Sequence, residues 1–396
     1  MGADVDLDRV KARACEEVEE RAEALLAVSH DIHAHPEENF AEHHAHDVLT
    51  GVLAEAGLPV ERHAFGLDTA FAARAGREGP TVAVLLEYDA LPGIGHACGH
   101  NIIAAAGLGA GLATAALAEE LGGRVLVLGT PAEEGGGGKV FMVERGALDG
   151  VDAAMMVHPA DADLRWMTTI AIQRLDVVYH GQSAHAAAAP WLGRNALDAA
   201  VLGYTNVAAL RQHIRPEERV HGVFTDGGDK PNIVPARAAM HWYVRAATLD
   251  ALQPLKARVL AALEAGAAAT GCDMDHTWLQ PPYADLRPNP ALCDLYSANA
   301  ARLGRTVGEP TPEQQVVGST DMGNVSYAVP SIHPMIAVAP EGVGIHTPEF
   351  ATHAAGPAGD AAVLDGAKAM AMTVLDLWLR PDSLAEAARC FEGEGR

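Results

Sequence analysis

Four short stretches of the chain bring thiol, imidazole and carboxylate side chains together with small residues. They are Gly95-His96-Ala97-Cys98-Gly99-His100-Asn101, Pro131-Ala132-Glu133-Glu134 leading into Gly135-Gly136-Gly137-Gly138, Val157-His158-Pro159, and Gly344-Ile345-His346-Thr347-Pro348. Cys, His and Glu in this mixture suit a divalent cation, the thiolate favouring Zn²⁺ and the carboxylates accommodating Mn²⁺. Glu133 and Glu134 are adjacent, and neighbouring side chains in extended or turning backbone point different ways. One carboxylate can therefore bind metal while the other faces an attacking water. The glycines behind them permit close approach of backbone and positive φ. Taken singly, each residue has a plainer reading. A buried Cys is usually a small hydrophobe, a lone His a satisfied polar residue, and two glutamates the solvated start of a helix. Their recurrence after successive predicted strands is what points to one metal site.

Those loops need elements to hold them. Apolar runs at residues 81–86, 125–128, 153–157 and 332–338 have strand length, and helical patterns fill the longer intervals between the early ones. Helical spacing also covers residues 10–28 and 45–58, the second stretch ending at Gly57. The alternation predicts an α/β fold with a mostly parallel sheet covered by helices. In such sheets ligands bind beyond the carboxyl ends of the strands, which is where the four stretches fall. The middle of the chain differs: a strand at 170–179, a helix at 195–212, strands near 220–225 and 236–246, a helix at 249–268 and a strand at 274–279. This β-α-β-β-α-β order is a split βαβ sandwich, the ferredoxin-like arrangement. It predicts a domain at 169–281 inserted between two parts of the first, 1–168 and 282–396, with the Pro-rich stretch 281–290 as one linker.

Composition narrows the partners. With 28 basic and 52 acidic residues the formal charge is −24, which argues against nucleic acid or an anionic membrane as the main partner. Five cysteines lie scattered without CxxC spacing, so no disulfide framework is expected. Residues 1–13 read as a charged helix start without a signal peptide's apolar core, and no apolar run reads as long enough to span a membrane; a cytoplasmic protein is the expectation. HExxH, the zinc-deaminase pattern and the G-x-S-x-G elbow are absent. Gly107-Leu108-Gly109-Ala110-Gly111 lies in a helical stretch and lacks the third dinucleotide-binding glycine, and Gly138-Lys139-Val140 fails the phosphate-loop pattern. His43, His44 and His46 read as a solvated helix face. His30, His33 and His35 have spacing that can bind metal, yet Pro36 and the acids after it read as a helix end and turn.

The combined stretches resemble the M20 family of metallopeptidases and amidohydrolases, subfamily D, and within it the aminobenzoyl-glutamate hydrolase and Xaa-Arg dipeptidase branch. Besides the four above, the matching residues are His33-Ala34-His35-Pro36-Glu37, Asp89-Ala90-Leu91-Pro92, Gly181-Gln182-Ser183-Ala184-His185-Ala186, Asn232-Ile233-Val234-Pro235, Val244-Arg245 and Gly318-Ser319-Thr320-Asp321. The resemblance implies a zinc-peptidase-like catalytic domain with two divalent ions (Zn²⁺ or Mn²⁺, with Co²⁺ also able to serve) on Cys98, His100, Glu134, His158 and His346, Cys98 bridging them. It implies Glu133 as general base and then acid, His185 polarising the substrate carbonyl, and Asn232 with Arg245 holding a carboxylate. The inserted domain would act as lid and homodimer interface. The implied reaction is hydrolysis of the amide bond of a dipeptide or N-acyl (including aminobenzoyl) amino acid. A deacylase of specialised metabolism, a silent amino-acid-binding relative and a thiol hydrolase using Cys98 are the alternatives. Asn101 stands where many relatives carry Asp after Cys-Gly-His, and so cannot act as a charged support for the site.

Overall fold

The computed structural model describes residues 6–311 and 318–394; the first five residues of the predicted helix start at 1–13 lie outside it. The chain divides into two compact units, one formed by Met1–Thr168 with Leu286–Arg396 and the other by Thr169–Asp285.

The larger unit is built on a six-stranded sheet. From one edge the order is Val60–Arg62, Phe71–Ala75, Arg124–Gly129, Thr81–Leu86, Ala153–Met155 and Ser331–Ile332. The last four strands run parallel to one another, while Phe71–Ala75 pairs antiparallel with both Val60–Arg62 and Arg124–Gly129. The sheet is therefore more mixed than the apolar runs predict, because charged residues interrupt Val60–Arg62 and Phe71–Ala75 and no apolar run marks them. The run at 332–338 is also two strands: Ser331–Ile332 closes the main sheet, and Met335–Ala337 pairs with His158–Ala160 in a separate parallel ribbon. The single helix read over 10–28 is two, Leu7–Glu20 and Ala22–Ala34, interrupted at Arg21, whose φ of −105° and ψ of 5° leave the helical region.

The helix His100–Leu121 forms the spine of this unit. It begins at Gly99 and ends at Gly122, both left-handed, with the Gly122 N–H donating to Ala118 O. It is the one described helix long and apolar enough to cross a membrane, and 89% of the qualifying stretch is buried inside the protein. The expectation that no such segment exists is corrected: Ala-rich helices that pack on all sides carry the same composition. Its glycines explain the failed nucleotide motif. A Cβ at Gly107 would stand 2.8 Å from Leu86, and one at Gly111 would stand 2.4 Å from Val127, so these positions let the helix lie close on the sheet. One at Gly109 would meet Leu25 and Ala367 on the opposite side. Gly111→Val is accordingly expected to destabilise the fold by about 1–3 kcal/mol through overpacking, read as a lower urea midpoint at unchanged slope.

The smaller unit has a four-stranded antiparallel sheet in the order Asp273–Tyr283, Ala171–His180, Arg237–Ala246, Arg219–Asp226. Strand alternation puts Leu175, Val177, Tyr179, Met240, Trp242 and Val244 into one core with Leu255, Val259 and Leu263 of the helix Leu249–Thr270. Arg174, Asp176, His241, Tyr243 and Arg245 occupy the intervening positions and are half-buried. Asn195 caps the helix Ala196–Leu210 through its side-chain oxygen, and Thr248 caps the other. The last strand runs on through Pro281 and Pro282, so this unit extends past residue 281, where the prolines had set its end.

Candidate metal centre

Loop geometry in the larger unit aims the donors. Cys98 and His100 flank Gly99, where a φ of +76° lets the chain turn into the helix; a Cβ there would meet Pro159 at 2.8 Å. Asp89, beyond the strand Thr81–Leu86, lies 3.0 Å from His100 Nδ1. With Nδ1 donating to that carboxylate, the Nε2 lone pair is left for a metal. The other Asp89 oxygen accepts from the Glu134 N–H at 2.9 Å.

Glu133 and Glu134 sit in the turn between the strand Arg124–Gly129 and the helix Gly138–Glu144. That turn depends on Ala132, a non-glycine residue at φ +59° whose N–H donates to Glu42 Oε1 at 2.9 Å. His346 is likewise held at φ +65°, its N–H donating to Ala97 O at 2.8 Å. Left-handed backbone at two donor loops is the kind of strain that surrounding structure must impose. His158 turns Nδ1 toward the Pro159 carbonyl at 2.8 Å and Nε2 toward Cys98 Sγ at 3.5 Å.

The five candidate ligands fall into two groups that share Cys98. Cys98, His100 and His158 form one, and Cys98, Glu134 and His346 the other; within each, one ligand atom per residue lies within 4.8 Å of the others. His346 Nε2 stands 3.2 Å from Glu134 Oε1. Buried His100 Nε2 and Glu134 Oε1 make no well-formed hydrogen bond, only ion-pair approaches to the facing carboxylates and to His346. Nitrogen, sulfur and carboxylate donors converging with ligand atoms unsatisfied is what a pair of Zn²⁺ or Mn²⁺ ions needs. These five residues thus provide two candidate divalent-metal sites that meet at Cys98, the makings of a dinuclear centre.

The electrostatics ask for positive charge. Burial, reinforced by Glu87, Glu134 and Asp321, pushes the Glu133 carboxyl well above its ordinary range. Burial alone would depress His100, but Asp89 and Cys98 reverse the direction and raise it. Burial and Glu134 raise the Cys98 thiol well above its usual value, whereas burial and the neighbouring His333 and His100 drive His158 well below its own. Cations bound at the centre would offset the carboxylates and favour the thiolate.

Lys139 supplies a fixed cation beside this group. Its Nζ lies 2.6 Å from Glu87 Oε1 and 2.7 Å from Asp321 Oδ1, and Glu87 Oε2 lies 3.5 Å from His100 Nε2. Sequence reading gives none of Glu87, Lys139 and Asp321 a role. The only signal is a lysine directly after a glycine run, and it resembles a broken phosphate loop. His333 also escapes it: the residue is buried, with its ring 5.1 Å from that of His158, and burial lowers it to about 4. His46 is not solvated as expected. It is 2% exposed, and its Nδ1 lies 3.0 Å from the Thr69 carbonyl. Asn101 donates to Ser29 Oγ and the Ala354 carbonyl, so its amide ties helices together.

His185, Asn232 and Arg245 all belong to the smaller unit. His185 is exposed, and its Nδ1 accepts from the Ala187 and Ala188 N–H groups at 3.3 and 3.1 Å, which leaves Nε2 as the outward donor. The Ala186 N–H donates to the Asn232 carbonyl at 3.0 Å, so these two loops are joined. Arg245 lies on the strand Arg237–Ala246 with its guanidinium carbon 5.9 Å from the Tyr243 ring centroid, and its buried Nε has no hydrogen-bond partner.

An α/β unit carrying paired metal-binding groups, together with a separate small unit, defines a two-domain metallohydrolase. The model of peptidase family M20/M25/M40 matches residues 80–376, and the chain belongs to that family. It is a metal-dependent hydrolase of amide bonds. It is 41% identical to the Xaa-Arg dipeptidase of Mus musculus over 97% of this chain and 92% of the relative. With a p-aminobenzoyl-glutamate hydrolase polypeptide of Escherichia coli (strain K12) the identity is 37% over 61% of this chain and 55% of that one. The crystal structure of an aminobenzoyl-glutamate utilization protein from Klebsiella pneumoniae has the same fold, with a TM-score of 0.74 and 22% identity over 95% of this chain and all of that one.

Proposed function

We propose that the protein cleaves the amide bond of a dipeptide or N-acyl amino acid that carries a free carboxylate, and that Cys98, His100, Glu134, His158 and His346 would hold its two divalent ions, Cys98 belonging to both ligand groups. The observation that carries this reading is the sharing of Cys98 by two three-residue groups. Two bound divalent ions would lower the pKa of water and polarise the amide carbonyl. A carboxylate oxygen of Glu133 takes the proton of the attacking water and delivers it to the leaving nitrogen. The outward Nε2–H of His185 donates to the carbonyl oxygen as negative charge develops there. Arg245, with an unpaired Nε, and Asn232 hold the substrate carboxylate. Similarity to the dipeptidase and to the aminobenzoyl-glutamate hydrolase supports the substrate class.

The smaller unit serves in this reading as a ferredoxin-like lid and homodimer interface. Its edge strand Arg219–Asp226 exposes Val223 and Phe224, and the helix Ala196–Leu210 exposes Val201 and Leu202. An open strand edge beside exposed apolar side chains favours pairing with a second copy. Cys15, Cys98, Cys272 and Cys293 carry unbridged thiols, which supports a reducing, cytoplasmic compartment.

A thiol mechanism has one observation in its favour, the Cys98–His158 contact of 3.5 Å. Burial raises that thiol, the reverse of what activates a nucleophile. Dialysis against a chelator is expected to abolish hydrolysis of a dipeptide and N-acyl amino acid panel, and Mn²⁺ or Zn²⁺ to restore it. Activity that survives chelation yet is lost to an alkylating reagent would transfer the chemistry to Cys98.

A further inference from the structure

A second group of metal-ligating side chains lies in the same unit and shares no residue with the centre around Cys98. Asp31 and His35 are four residues apart at the end of the helix Ala22–Ala34, and that spacing puts both on one face. His44 comes from the first turn of the next helix, His43–Glu55. His35 Nδ1 lies 3.0 Å from one Asp31 carboxylate oxygen and His44 Nε2 lies 2.9 Å from the other. The two rings are 4.5 Å apart, and all three ligand atoms fall within 4.8 Å of one another. The backbone carbonyl of Asp31 adds an oxygen 2.9 Å from His35 Nδ1.

His44 is set in place independently of the cluster. The Glu37 carboxylate accepts from the His44 N–H at 2.8 Å and from the Ala45 N–H at 3.1 Å, which fixes the start of that helix. The third ligand is therefore preorganised by the turn that joins the two helices.

We propose that Asp31, His35 and His44 form an exchangeable site for a single divalent transition-metal ion, separate from the dinuclear centre. Two imidazoles and one carboxylate select borderline ions such as Zn²⁺, Ni²⁺ and Co²⁺ over Mg²⁺ or Ca²⁺. The three side chains are 38–57% exposed, so coordination positions stay open to water and the ion exchanges with solvent. Occupancy clamps the connection 36–42, whose Glu37 carbonyl accepts from the Ala90 N–H at 2.8 Å and whose Glu42 carboxylate accepts from the Ala132 N–H at 2.9 Å. The bound ion would thus brace the support of both Asp89 and Glu133.

The test is Zn²⁺ titration of the metal-loaded enzyme by equilibrium dialysis with elemental analysis. The wild type is expected to bind one equivalent beyond the dinuclear centre, and its thermal midpoint to rise with added zinc. His44→Gln and Asp31→Asn should each lose that equivalent and the rise, while retaining turnover of the two-metal enzyme, which shows that they are folded. His43→Gln, an exposed neighbour outside the group, should keep both. Equal zinc uptake by the wild type, His44→Gln and Asp31→Asn would overturn the site and reduce the cluster to hydrogen bonds.

Discussion

Glu133→Gln is expected to lower kcat by roughly 10³-fold or more, near the upper range for a positioned acid–base group, while both metal ions stay bound. The exchange keeps the side chain's shape in a position only 7% exposed, so packing is preserved. Glu133 belongs to neither Cys98 group, although one of its oxygens lies within 4.8 Å of ligand atoms of Glu87 and His100; in the base role its loss leaves metal content unchanged. Burial and three neighbouring acids hold its carboxyl well above the ordinary range. Positive charge at the Cys98 groups would pull that affinity down toward working pH, where one carboxyl can both accept a proton and give it back. Removing one of several crowded negative charges should leave the thermal midpoint equal or higher. The measurements are kcat, elemental metal content and thermal midpoint on the same sample. Substantial residual turnover would remove Glu133 from the base role, and parallel loss of metal would make it a ligand.

The candidate donors of this centre were legible in the sequence because most of them follow a strand-length apolar run. Thr81–Leu86 and Arg124–Gly129 lead to Cys98 and Glu134, and the recurrence of thiol, imidazole and carboxylate groups at such positions points to a metal centre. Charge neutralisation was not legible. Lys139 and Asp321 are 182 residues apart, and their pairing exists only once the helices Gly138–Glu144 and Met322–Ala328 are both folded. Nor was the burial of His46. Three histidines in four residues suggest a polar face, yet His46 adjoins the Ala45–Leu49–Leu53 stripe and finds a carbonyl acceptor in the interior. Strand breaks escaped for a similar reason. An apolar run such as 332–338 does not show whether it serves one sheet or two, because both strands bury alike.

Lys139→Met should destabilise the protein by about 3–5 kcal/mol at neutral pH, since it leaves Glu87 and Asp321 buried without their cation. Lys139 is 1% exposed, and Glu87 and Asp321 are fully buried. Burial would lower the Lys139 pKa, but Asp321 and Glu87 outweigh it and raise it above the ordinary 10.5. In the wild type the ammonium's contribution is therefore intact at every pH below that value, and is lost only as strongly alkaline pH passes the raised pKa. The variant should respond to acid instead. Even with Lys139 present, burial raises Asp321 to about 6; without the cation, its folded pKa moves higher still. Folded protein then binds more protons than unfolded chain, so the variant gains stability as pH falls through that raised value. Its deficit relative to wild type, measured by urea unfolding at equal metal loading, should shrink between pH 8 and pH 5.5. Removing one of the stranded charges tests the same account at constant pH. Lys139→Met combined with Asp321→Asn should be more stable than Lys139→Met alone, because one uncompensated carboxylate is gone. A deficit that is constant with pH and undiminished in the double variant would show that Lys139 acts through its packed methylenes. A freed Glu87 also lies within 3.5 Å of His100 Nε2 and would compete for it, so weaker metal retention should accompany the loss of stability.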